Sequence, residues 1–177
     1  QNIQNLETED VDPLRSSITA IKSVCSTISV SELSPDLTVM QMSLADRLFG
    51  VLESRQISAE QLHLDGRQAL QLGLCALHLQ KIDWASAALG AAHQSLPGND
   101  IVLQGLEKIA LLTSDEVLRQ HWLEARLRND PDNPELLRTQ AHILVRQGDE
   151  GAEKAVRRLE ALGVDTPADR SLLSGLR

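Results

Sequence analysis

Apolar residues recur along this chain at spacings of three and four, the period of one buried helix face. Leu14, Ile18, Ile21, Cys25 and Ile28 make the first such stripe and predict a helix over about 12–29. Asp12 is its candidate N-cap and Pro13 its first helical residue. Ser34 and Pro35 open a second helix ending near Arg55, with Leu37, Met40, Leu44, Leu48 and Val51 as its stripe. Ser58 to Gln61 fits a capping box. The helix that follows either runs to about Gln80 or breaks near Asp65-Gly66.

From Gly66 onward the pattern predicts helix pairs at about 67–80 with 83–96, 101–112 with 115–128, and 134–147 with 150–162. Asn133 caps with Pro134 in the first turn, Thr113 to Glu116 fits a second capping box, and Gly148 and Gly163 mark helix ends. Thr166-Pro167 opens a short last helix to about Gly175. Residues 1–11 are polar and acidic and predict a frayed end. No strand signal of weight interrupts this series, so the expected fold class is all-α, with about nine helices.

The pairs keep a fixed period. Pro97 and Pro131 lie 34 residues apart, each closing a unit of helix-pair size, and windows opened at Gly66, Asp100 and Pro134 match in their apolar positions. A period of this size belongs to stacked helical arrays, in which each hairpin leaves an apolar face for its neighbour to cover. The pattern resembles the tetratricopeptide repeat. With Gly66 as position 1, Leu72-Gly73 falls on that family's Leu-Gly pair at positions 7 and 8, Ala76 on 11, Ala85 on 20, Leu89 on 24, Ala92 on 27 and Pro97 on 32. Leu103, Leu106, Leu123 and Pro131 match in the second window, Leu137, Ala141 and Leu144 in the third. The family's Trp at position 4 is absent, and the second window carries Glu107 and Arg119 in place of the small residues at positions 8 and 20.

The resemblance implies a right-handed α-α superhelix with three repeats, 66–99, 100–133 and 134–167. An acidic segment with two capping helices over 1–65, or one degenerate repeat, would precede them, and a capping helix over 168–177 would follow. It also implies a concave groove lined by the first helix of each pair. Carried over, the lining is Arg67, Leu70, Leu74, Leu77 and His78, then Ile101, Gln104, Lys108, Leu111 and Leu112, then Glu135, Arg138, His142, Val145 and Arg146. Its excess of bases favours an acidic peptide, and its apolar members favour an amphipathic partner helix or coverage by the chain's own N-terminal helices. The acidic cluster Glu7, Glu9, Asp10 and Asp12 is one candidate occupant.

Composition narrows the function classes. Aromatic residues make up 2% of the chain, which suits Leu- and Ala-rich helices better than a β-sandwich. The formal charge of −8 argues against a nucleic-acid binder. Most of the excess acidity precedes the repeats, with ten acids and four bases in 1–65 against fifteen and thirteen in 66–177. No run is long and apolar enough for a membrane span, and the missing signal peptide favours a cytoplasmic over a secreted setting. The start at Gln1 suits an excised or processed chain.

Cys25 and Cys75 sit on apolar faces and read as buried thiols, with a disulfide between them left open. The histidines at 63, 78, 93, 121 and 142 lack metal-ligand spacing. No phosphate loop or nucleophile elbow is present. Trp84 and Trp122 fall in second helices and read as packing residues. The sequence thus predicts a non-catalytic scaffold or adaptor without cofactor or metal, binding a protein or peptide. A regulatory or targeting domain of a larger enzyme, such as a transferase, and a self-associating subunit forming a homodimer are the alternatives.

Overall fold

The computed structural model describes residues 39–172, together with helical residues 19, 20, 22 and 23. The predicted N-terminal helix therefore lies almost wholly outside the described residues, as do the acidic segment, the Ser34-Pro35 start, Cys25 and residues 173–177. Among the described residues there is no strand. Eight α-helices follow one another: α1 (Val39–Ser54), α2 (Gly66–His78), α3 (Ile82–Ser95), α4 (Asp100–Leu112), α5 (Glu116–Asn129), α6 (Pro134–Gln147), α7 (Gly151–Ala161) and α8 (Pro167–Leu172). The helix expected after Ser58 breaks. A single 3-10 turn, Glu60–Leu62, ends at His63 in the left-handed region (φ 46°), and α2 begins afresh at Gly66.

Local signals recur along the chain at 34-residue intervals. The side chains of Asp65, Asn99 and Asn133 each accept a backbone N–H three residues on, from Gln68 (2.8 Å), Val102 (3.1 Å) and Leu136 (3.3 Å). These bonds satisfy donors at the helix start that have no partner inside the helix. Each first helix then ends in the same turn. Gln80, Ser114 and Gly148 adopt φ of 59°, 57° and 68°. The following amides of Lys81, Asp115 and Asp149 reach back to the carbonyls of Ala76, Ala110 and Leu144 at 2.8, 2.9 and 2.9 Å. This is a Schellman turn. Only its third occurrence has the glycine that the left-handed conformation favours; Gln80 and Ser114 hold it at a steric cost. Two expected capping boxes are corrected. Asp115, not Thr113, caps α5 by accepting from Leu118 N–H (2.9 Å), while the Thr113 hydroxyl donates back to the Ile109 carbonyl (3.0 Å). At Ser58 the amide donates to Gln61 Oε1 (2.8 Å), but only the 3-10 turn follows.

The chain divides into two compact units, Gln1–Gly105 and Leu106–Arg177, and the division falls inside α4. In the first unit α2 and α3 pack along their length. Ala85, Ala88, Leu89 and Ala92 are all buried, and the small ones let the helices approach. Leu89 marks the closest contact: a Cβ built on Gly73 would lie 2.6 Å from Leu89 Cγ, and one on Gly105 2.7 Å from Leu89 Cδ1. Among the described side chains of α1, Ala45, Phe49 and Leu52 are buried, so the expected stripe is turned at Leu48 and Val51; Leu48 is half-buried and Val51 exposed. Phe49 decides this rotation. It carries the larger apolar surface and meets Trp84 of α3 edge to face, centroids 5.4 Å apart. Lys81 adds to this contact, with Nζ 5.7 Å from the Phe49 ring centroid and 3.1 Å from Glu53 Oε1. Cys75 is a buried free thiol whose pKa burial raises to about 11.

In the second unit α6 is the central element, packing against α5, α7 and α8. Leu123, Leu136 and Ile143 form one apolar cluster with Leu127 at its edge; Ala141, Ala155 and Val156 form another, against which Leu172 packs.

Candidate partner-binding surface

The predicted groove residues fall into three groups. Leu70 and Leu74 are buried, within an unbroken buried run from Ala69 to Ala76. A helix buried all round over two turns has no free face there, so these two leucines belong to the core of the first unit and leave the candidate lining. Leu77, Ile101, Gln104, Arg138 and Val145 are half-buried, and Gln104 Nε2 donates to Asp100 Oδ2 at 2.6 Å. Arg67, His78, Lys108, Leu111, Leu112, Glu135, His142 and Arg146 are exposed.

The basic character expected of this surface is partly spent inside the fold. Arg138 Nε donates to Asp169 Oδ2 at 3.2 Å, and its Nη2 donates to the Val164 carbonyl at 2.6 Å. Asp169, 3% exposed, also accepts from the Thr166 amide (2.8 Å) and hydroxyl (2.9 Å). Burial opposes its ionisation, but the two Thr166 bonds and the Arg138 guanidinium together outweigh burial and hold the carboxyl below its usual range. Arg138 thus anchors α8 instead of awaiting a partner. A depressed carboxylate pKa stabilises the folded state above the ordinary value near ~4 and loses that effect as pH falls through the depressed value. Protection against hydrogen exchange at 166–172, taken relative to the unstructured chain at the same pH, should therefore fall on acidification below about pH 4 before the rest of the second unit opens. In Asp169→Asn the protection of this segment should be low already at neutral pH; high protection there at both pH values would contradict the anchor.

Within the second unit side chains on α5 meet the end of α6. Arg146 Nη1 lies 3.4 Å from Glu116 Oε1, and Gln147 Nε2 donates to Gln120 Oε1 at 3.3 Å. Beside this junction the tip of the α4–α5 hairpin exposes Leu111 (44%), Leu112 (51%), Val117 (82%) and Leu118 (38%). The sequence singled out Leu111 and Leu112 and missed Val117 and Leu118. The available signal was the run "LLTSDEVL", in which apolar pairs flank a polar turn.

Ion pairs continue inward from Glu116. Arg119 Nη1 is 3.8 Å from Glu116 Oε2, and Arg119 Nε is 4.0 Å from Glu107 Oε1. Arg126 Nη1 is 2.7 Å from Glu107 Oε2. The side chains of Glu107, Arg119 and Arg126 are 14%, 17% and 14% exposed. In the 34-residue register Glu107 takes the place of Gly73, Arg119 of Ala85 and Arg126 of Ala92. The residues that depart from the repeat pattern in the middle hairpin therefore answer one another: three charges stand where the first hairpin has three small residues.

Each unit carries a shallow hollow. One, about 320 Å³, lies in the first unit between Ile57, Ala59 and Trp84, with Glu53, Glu60 and Asp83 at its rim. The other, about 530 Å³, lies between α5 and α6 over Leu127 and Leu137, with His121, Glu124 and Arg128 around it. Among the described residues no three His, Cys, Asp or Glu side chains are grouped to hold a metal ion, and no helix is long and apolar enough to cross a membrane. Comparison with known proteins gives no match: no family model, curated protein or solved structure matches the chain.

Proposed function

We propose that this chain is a helical-repeat scaffold of the tetratricopeptide type, holding a peptide or helix of a partner protein against the exposed faces of its first helices. The observation that carries this reading is the 34-residue recurrence of cap and turn. Caps at 65, 99 and 133 and left-handed turns at 80, 114 and 148 start each hairpin and turn it at one period and with one turn geometry, as a stacked array requires. The exposed side chains of the second unit suit a partner with acidic groups and an apolar face: Lys108 and His142 are available as cationic or hydrogen-bonding contacts, and Leu111 supplies apolar area. Apolar burial would provide most of the affinity, since an exposed ion pair is worth only about 0–1 kcal/mol.

The test is affinity capture followed by mass spectrometry, with Lys108→Glu/His142→Glu beside the wild type. Both residues are exposed, so the variant should fold. A partner held on this face should be retained by the wild type and at least about tenfold depleted with the variant. Identical recovery of every captured protein by both would reject the assignment.

A further inference from the structure

The tip of the middle hairpin is more apolar than its fold requires. The equivalent tips in the 34-residue register show what the hairpin needs: Leu112 stands where the others have His78 and Arg146, and Val117 stands where the first has Asp83. Hairpins with polar residues at these places form the same Schellman turn with the same backbone bonds. Neither Leu112 nor Val117 is thus demanded by the turn, yet both are exposed, Val117 more than any other large apolar side chain among the described residues. Contiguous exposed apolar surface of this kind marks a contact site.

We propose that a second copy of this chain covers this tip, the two copies meeting through Leu112, Val117 and their neighbours about a two-fold axis. The charges around the tip favour a copy over a partner of one sign. Lys108 lies one turn before Leu112 on α4 and makes no ion pair among the described residues; Asp115 and Glu116 open α5 on the other side of the turn. An acidic partner laid over the tip meets Asp115, and a basic one meets Lys108, while Glu116 and Arg146 already pair with each other. A copy turned by half can set Lys108 against the acids of its neighbour twice over, as a self-complementary contact requires. The apolar centre is small against the roughly 800 Å² per partner of a standard interface, so the association is weak, about micromolar or weaker.

Sedimentation equilibrium of the full chain from about 1 to about 500 µM tests this, with Val117→Asp and Leu112→Gln beside the wild type. An acid in the first turn of α5 suits the helix dipole, so Val117→Asp keeps its fold, which circular dichroism checks. The wild-type weight-average mass should climb from one chain toward two, and each variant should weaken association by about tenfold or more. Val117→Cys should also cross-link under oxidation far more than Leu162→Cys, an exposed position away from the tip, because a two-fold axis places like residues together. A wild type monomeric throughout, a dimer untouched by Val117→Asp, or equal cross-linking at the two positions would each overturn the proposal. Self-association is read here without any partner protein, and Val117 lies on α5, off the helices assigned to the partner, so Val117→Asp tests this contact apart from the capture experiment, whereas Lys108 and Leu112 of α4 bear on both.

Discussion

Glu107→Ala should destabilise the second unit by about 3 kcal/mol, at the lower end of what breaking a buried ion pair costs. The carboxylate faces two guanidinium groups, Arg126 at 2.7 Å and Arg119 at 4.0 Å, all three side chains less than a fifth exposed. Removing Glu107 leaves two like charges between α4 and α5, partly desolvated, with Arg119 retaining only Glu116 at 3.8 Å. Coulomb attraction becomes repulsion while most of the desolvation cost remains. The control is the triple variant Glu107→Ala/Arg119→Ala/Arg126→Ala, which places small residues as in the first hairpin, where Gly73, Ala85 and Ala92 stand. It discards the two facing like charges together with the pair, so it should recover at least half the loss by urea denaturation. A triple variant as unstable as the sum of its single changes would show that the three residues act independently, against the non-additivity expected of one network.

Gly73→Ala should also destabilise, by about 2 kcal/mol, although alanine is the better helix former by about 1 kcal/mol. The new Cβ would stand 2.6 Å from Leu89 Cγ, 2.8 Å from Cδ2 and 3.1 Å from the Leu89 amide nitrogen. The side chain has little room to yield. On its other side a Cβ at Gly105 would be only 2.7 Å from Leu89 Cδ1, and Leu89 is fully buried. Either Leu89 leaves its rotamer or α2 and α3 move apart, and both lose packing that small residues on α3 were placed to make. Leu89→Ala removes Cγ and both Cδ atoms and should relieve the clash, so Gly73→Ala/Leu89→Ala should be more stable than the two single losses added together. A melting temperature for Gly73→Ala equal to or above that of the wild type would show that helix propensity outweighs the close approach.

These two sites show opposite answers to one packing problem. In the first hairpin the chain solves it with absent side chains, and the gap between helices closes. In the middle hairpin it solves it with long charged ones that span the gap. The first solution depends on shape alone. The second ties Glu107 to charges twelve and nineteen residues on, and through Arg119 and Glu116 to Arg146, so that one acid also bears on the face proposed for partner binding. Substitutions at Arg146 meant to probe partner binding therefore disturb an ion network as well, and Lys108 and His142 are the cleaner probes.

The helices themselves were legible in the sequence, because what begins and ends them is local. A cap such as Asn133 bonds an amide three residues away, a turn such as Gly148 is closed by an amide–carbonyl pair five apart, and the helical period appears in any window of a dozen residues. Such contacts are cheap in chain entropy and need no neighbour, so composition and spacing determined them. Even here Asp115 displaced Thr113 as the cap of α5, since Thr113 found the carbonyls of the preceding helix. Which face of each helix is buried depended on contacts made far along the chain. Leu70 and Leu74 have the spacing of a groove lining, yet α2 is enclosed on all sides from Ala69 to Ala76. Phe49 turned α1 away from its Leu48–Val51 stripe by reaching Trp84, thirty-five residues on. Arg138, an apparent groove cation, was drawn to Asp169, thirty-one residues on, because a buried carboxylate needs a charged partner more than a solvated surface does. Periodicity reports that a face is apolar and charge counts report an excess; only the assembled chain decides what stands opposite, since burial and pairing are properties of two surfaces and the sequence displays one at a time.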